Sequence, residues 1–201
     1  MKVFNFSLLS LIVITLVVGL TLLSGSFDQV SVAKEGKKFF KFNDKGELIR
    51  PEGYREWIFV GAPVTPNSLN DGHAPFPEFH NVYIDPESYA HYSKTGEFRE
   101  GTILVKELVS VGATSAPSGN GFFEGDYIGL EATIKDSKRF PNEPGNWAYF
   151  SFSTKDHTLP YKDLATAFPA QACNSCHQAT AADDWVFTQY YPVLRAAKPS
   201  K

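Results

Sequence analysis

Residues 173–177 read Cys-Asn-Ser-Cys-His, and Cys173 and Cys176 are the only cysteines of the chain. C-x-x-C-H is the spacing at which two thiols add across the two vinyl groups of a porphyrin while the adjacent His177 reaches the iron from one face. A chain carrying this motif must leave room beside residues 173–177 for a large flat ring tethered at its edge. One motif implies one covalent c-type haem per chain. The haem would carry the hard chemistry, and the protein would set axial ligand, polarity and access. Two other uses of the cysteine pair fit less well. A redox-active C-x-x-C sits more naturally in a thioredoxin-like βαβ unit. A structural zinc site needs four ligands, normally including more thiolates than this chain holds.

Covalent haem attachment requires export, and the N-terminus carries an export signal. Lys2 gives a short positive start, and residues 8–23 are almost wholly apolar. Ser24 and Ser26, or Ser31 and Ala33, supply small residues before a cleavage point. The apolar run lies between the length of a signal core and that of a full membrane span. Residues 1–33 therefore read as a signal peptide or an uncleaved N-terminal anchor, and both place the domain at 34–201 in the periplasm. With the leader removed, roughly 170 residues remain, the size of one domain with one core. Hydrophobic residues make up 43% and aromatic residues 14%, enough to build a core and enclose a prosthetic group. The formal charge of −3, with no basic run, argues against nucleic acid as a partner.

Methionine usage narrows the iron chemistry. Met1 is the only methionine. The exported domain cannot use the His/Met ligation typical of electron-carrying cytochromes c. His73, His80, His91 and His157 are the other histidines, each more often a surface or turn residue than a ligand. The expectation is an open sixth position, which suits small-molecule binding or catalysis and disfavours a plain electron carrier.

The patterning between leader and haem motif is strand-rich. Residues 57–60 and 79–84 read as strands, and 63–77, with its prolines and Asn-Asp-Gly, as a loop. Asp85 and Pro86 open a helix that Gly96 closes. Residues 102–111, rich in β-branched side chains, form the strongest strand signal, and 127–135 and 147–153 add two more. Ser118–Gly121 reads as a turn. Helical signals return at 161–168, at the haem motif and at 183–197, where Pro192 interrupts. The expected class is α+β: a twisted antiparallel β-sheet with flanking helices, and the haem between the sheet and the C-terminal helices. All-helical electron carriers and four-helix-bundle cytochromes have no place for five strands.

Longer stretches carry a resemblance. They include Tyr-Arg-Glu-Trp (54–57), Val-Gly-Ala-Pro-Val-Thr-Pro-Asn-Ser-Leu-Asn-Asp-Gly (60–72), Ala-Pro-Phe-Pro-Glu-Phe (74–79) and Val-Tyr-Ile-Asp-Pro (82–86). Gly-Glu-Phe-Arg-Glu-Gly-Thr (96–102), Val-Lys-Glu-Leu (105–108), Lys-Asp-Ser-Lys-Arg-Phe (135–140) and Gly-Asn-Trp-Ala-Tyr-Phe (145–150) continue it. Asp-Trp-Val-Phe-Thr-Gln-Tyr-Tyr-Pro-Val-Leu-Arg (184–195) follows the haem motif. Over most of the exported domain the chain resembles cytochrome P460 and its relative cytochrome c-prime-beta. The resemblance implies a periplasmic homodimer with a five-coordinate resting iron. In the enzyme branch a lysine is bonded to the haem ring and hydroxylamine is oxidised to nitrogen oxides, with electrons passed to an accepting cytochrome. In the c-prime-beta branch that bond is absent, and the protein binds nitric oxide or carbon monoxide without turnover.

Three residues decide between the branches. Lys106 stands between Leu104 and Leu108 on one face of the strongest strand. It matches the haem-linking lysine of the family, and it also fits an edge-strand lysine that deters aggregation. Desolvation favours the neutral, nucleophilic form of such an amine. The family's active members hold a carboxylate shortly before the haem motif as proton acceptor. Here Asp163 is the only acidic residue between 159 and 171, so either Asp163 serves or it is a solvated turn residue and the base is missing. Phe76 resembles the aromatic residue that crowds the distal face, with a core-packed loop anchor as the other reading.

Overall fold

The structure is a computed structural model and describes residues 37–200, all within the compact unit Glu35–Lys201. The leader expected at 1–33 lies outside the described residues. Among the described residues no helix is long and apolar enough to cross a membrane.

The chain forms strands β1 (Leu48–Ile49), β2 (Ile58–Gly61), β3 (Phe79–Ile84), β4 (Ile103–Val111), β5 (Ser115–Ala116), β6 (Gly119–Asn120), β7 (Glu124–Lys135), β8 (Trp147–Ser151) and β9 (Leu164–Ala165). Its α-helices are α1 (Pro86–Thr95), α2 (Ala170–Thr180) and α3 (Pro192–Ala197). Five strands make one antiparallel sheet in the order β2-β3-β4-β7-β8. The architecture is thus the expected α+β class.

Side-chain alternation gives this sheet two buried faces. Ile103, Val105, Leu130, Ala132, Ile134, Ala148 and Phe150 pack on one side against Phe40, Leu48, Tyr54, Tyr161 and Ala165. On the other, Val82, Ile84, Leu104 and Trp147 pack against Tyr92, Val186, Tyr191 and Leu194. The helices lie on this second side, with α3 against β2 and α1. Both faces of β4 are covered, which is why its sequence is a near-continuous apolar run. Its two charged residues, Lys106 and Glu107, point to opposite faces.

Local signals explain α1. The Asp85 side chain accepts a hydrogen bond from the Ser88 N–H at 2.9 Å, Pro86 fills the first turn, and Gly96 takes φ 75° at the C-cap. Asp85 also accepts from the Ile103 N–H and pairs with Arg99, so a fully buried carboxylate joins helix start to strand start.

Two expected helices are corrected. At 161–168 the chain is extended: Leu164–Ala165 pairs with β1, and the N–H groups of Lys162 and Phe168 donate to the carbonyls of Phe152 and Tyr149. Those donors are committed to the edges of the fold and cannot turn back along their own segment. At 183–197 only Pro192–Ala197 is α-helical, preceded by a 3₁₀ turn at Thr188–Tyr190. Asp184 and Trp185 have φ 42° and 60°, which no helix accepts, and Pro192 starts the helix rather than kinking it.

Candidate functional site

The haem motif forms α2, which runs past the end of β8. Asn174 is buried and its amide lies 3.3 Å from a Glu143 carboxylate oxygen and 3.5 Å from the Trp147 carbonyl, fixing the helix to the turn before β8. Cys173, Cys176 and His177 follow one another around this helix at intervals of three and four residues from Cys173, the spacing that shares a face. Both thiols are free. Cys173 is half-buried and its thiol is pushed up by burial and by the Glu131 charge.

His177 is held from three directions. Its ring lies between Tyr149 and Phe187, with centroids 4.7 Å and 4.5 Å away. Its Nδ1 is 2.7 Å from the Trp185 carbonyl. That contact requires Nδ1 to carry the proton, which leaves the lone pair at Nε2. Burial lowers the pKa of the ring, and the Lys106 charge lowers it further, so His177 is neutral at physiological pH. A neutral imidazole whose second nitrogen is fixed by a carbonyl is the form that binds iron.

The sheet face beneath α2 carries the rest of the site. Val82, Lys106, Glu131 and Ser151 lie in one cross-strand row on β3, β4, β7 and β8. Lys106 Nζ lies 2.6 Å from Glu131 Oε2, and the Lys106 side chain is 28% exposed. It neither snorkels to bulk water nor lies at a sheet edge, because β4 is the central strand. The charges of Lys106 and Glu131 both act on Cys173 and His177. Tyr149, next in the row above, has a buried hydroxyl with no hydrogen-bond partner. Phe76 is 56% exposed and its ring stands 5.7 Å from Lys106 Nζ, so it anchors nothing in the core. The loop carries it there through a hydrogen bond from the Thr65 hydroxyl to the Phe76 carbonyl.

These observations fit a porphyrin. Two thiols and a neutral histidine share one helix, and the face next to them holds an exposed aromatic, an orphaned hydroxyl and a paired lysine. A structural zinc site would leave the aromatic and the lysine unexplained.

The chain belongs to the cytochrome P460 family. The model of that family matches residues 51–188, more than half of the sequence. Membership in the cytochrome P460 family makes it a haem cytochrome. No curated protein matches the chain.

The structure brings Phe76, Lys106, Cys173 and His177 to one side of the sheet and leaves Asp163 out. Asp163 precedes β9, its side chain is 86% exposed, and it pairs with Arg50 at 2.9 Å. Its neighbour Ala165 packs into the opposite core, with Val105 and Phe150. Of the four other histidines, His73 and His157 are exposed and His91 sits on α1. Only His80, on β3, shares the face of Lys106. Glu131 went unnoticed in the sequence because its significance is a strand register. Its alternation with Leu130 and Ala132 marks it as facing away from them, but nothing local says that it stands opposite Lys106.

Proposed function

We propose that this haem cytochrome carries a covalent c-type haem, joined through Cys173 and Cys176 with His177 as its one protein axial ligand, and oxidises hydroxylamine in the periplasm. Lys106 is bonded to the ring in this reading. The observation that carries it is the Lys106–Glu131 pair: a lysine on the central strand, on the face that also receives the haem motif, held 2.6 Å from a carboxylate. A lysine that only kept the sheet soluble would sit at an edge.

When bound, the haem supplies an iron at which the substrate nitrogen is held and a path for its electrons. The chain does the remainder. With Trp185 holding Nδ1, His177 would have Nε2 free to ligate the iron. Glu131 would fix Nζ of Lys106 and accept a proton from it; joining that nitrogen to a ring carbon in place of hydrogen releases two protons and two electrons in all, the electrons going to a peroxide. Phe76 limits what enters beside the lysine. Electrons leave to an accepting cytochrome, and the protein works as a homodimer, which sedimentation at micromolar concentration tests by giving twice the monomer mass.

A second reading, nitric oxide or carbon monoxide binding without turnover, is favoured by one observation. Asp163, the only acidic residue shortly before the haem motif, is engaged with Arg50 on the other side of the sheet. The ferrous absorption spectrum separates the two. A strongly red-shifted Soret band, with the Lys106 peptide travelling with the haem peptide after digestion, supports the enzyme. An ordinary c-type spectrum with the Lys106 peptide at its unmodified mass replaces it by the gas-binding reading.

A further inference from the structure

Oxidising hydroxylamine releases protons as well as electrons, and with Asp163 elsewhere the protons need another acceptor. Resting on the reading above, we infer that His80, oriented by Glu78, is that acceptor, and that the pair delivers protons to a cleft behind Glu78.

The geometry begins with register. Val82 pairs with Lys106 and His80 with Leu108, so His80 stands on the Lys106 face, two pairs further along. The Phe76 ring meets both residues: its edge is against the His80 ring at 6.1 Å, and Lys106 Nζ lies 5.7 Å from its centroid. His80 is therefore the histidine nearest the place where substrate would enter. Its Nε2 is buried, makes no well-aligned hydrogen bond, and lies 3.5 Å from Glu78 Oε1.

Glu78 is itself buried. Burial opposes its charge, but the neighbouring His80, a backbone N–H and the Lys106 charge together outweigh burial and hold its pKa below the ordinary value. An ionised carboxylate beside an imidazole orients the ring and stabilises its protonated form. Glu78 also lines an open cleft of about 350 Å³ with Pro66, Ser110, Thr114 and Ile128. His80 accordingly has the site on one side and an exit on the other. It takes a proton from the substrate on Nδ1 while Nε2–H passes one to Glu78, which releases it into the cleft. For each nitric oxide formed, hydroxylamine gives three protons to this route and three electrons to the accepting cytochrome. The charged groups facing His80 are Glu78 beside it and the Lys106–Glu131 pair on β4 and β7.

The test uses haem-loaded protein and the variants His80→Gln and Glu78→Gln. His80→Gln loses hydroxylamine oxidation by on the order of 100-fold while keeping its haem spectrum and nitric oxide affinity. The hindered base 2,6-lutidine, whose methyl groups keep it off iron, restores part of the rate in this variant and none is gained by wild type. Glu78 acts only through His80, so its readout is the orientation of that ring. In the diamagnetic carbon-monoxide complex the ring protons of His80 show contacts to Phe76 that Glu78→Gln weakens, while the haem resonances stay unchanged. His80→Gln turning over at the wild-type rate overturns the inference, as do His80 contacts that Glu78→Gln leaves unmoved. A wild type that loads haem but never oxidises hydroxylamine overturns the enzyme reading instead, and the ring contacts then decide the pair by themselves.

Discussion

The carbonyl of Trp185 lies 2.7 Å from Nδ1 of His177, and the same tryptophan holds φ 60° to put it there. A left-handed backbone at an aromatic residue is strained by about 1–2 kcal/mol, and here it is kept by packing. The Trp185 ring rests on Gly145, where an added Cβ would come within 2.5 Å of ring carbon Cε3. Gly145 has φ 61°, which already favours glycine.

Gly145→Ala should therefore act on His177 from a distance. Overpacking and backbone strain together cost about 2–4 kcal/mol. The denaturation midpoint of the haem-loaded protein should fall, and its ferrous spectrum should report a changed proximal ligand. An unchanged midpoint would mean that the Trp185 carbonyl is not held by its ring.

Cys173→Ala and Cys176→Ala each remove one thiol that would tether the haem. Each single variant should still show haem staining after denaturing electrophoresis, and the double variant should show none. Staining of the double variant, or no staining of the wild type, would sink covalent attachment through this pair.

Glu131→Gln tests the partner of Lys106. Without the carboxylate, Lys106 loses its counter-charge and, under the proposed linkage, the acceptor for its proton. Peptide mass spectrometry should then find the Lys106 peptide at its unmodified mass in a larger fraction of haem-loaded molecules. Equal linkage in variant and wild type would leave Glu131 without a role at the lysine.

Buried tyrosines set an alkaline limit. Burial pushes Tyr92 and Tyr161 up to about 12 and drives Tyr54 and Tyr191 higher, from an ordinary value of 10.0. Below pH 10 they are protonated in folded and unfolded chains alike, and their contribution to stability is complete. As pH rises beyond 10 the unfolded chain releases protons that the folded one keeps, so stability falls. The melting temperature should hold from pH 8 to 9 and drop steadily above 10. A flat profile to pH 11 would contradict it.

Much of this was legible in the sequence where the signal is local. Asp85, Pro86 and Gly96 bound α1 because capping uses neighbours. The strand at 79–84 was found at its true ends, and 102–111 begins one residue late, at Ile103. The C-x-x-C-H spacing singles out Cys173, Cys176 and His177, and α2 carries all three. What could not be read depends on distant partners. The stretch 161–168 has helix-compatible residues, but β1, Tyr149 of β8 and Phe152 just after it take its hydrogen bonds. Asp163 was picked for being close in sequence to Cys173, while the carboxylate near that thiol in space is Glu131, 42 positions before it.

On β4, Lys106 faces Glu131 while Glu107, 1% exposed, accepts from Tyr54 at 2.7 Å on the reverse side and pairs with Arg55. Slip this strand by one residue and every side chain changes sides. Slipped one way, Glu107 would meet Glu131, and slipped the other way, Lys106 would take the place of Glu107 beside Arg55, like charge against like in either direction. The adjacent pair thus works as a registration key: a strand apolar enough to slide is pinned at one setting, and that setting is the one that points an amine at the haem motif.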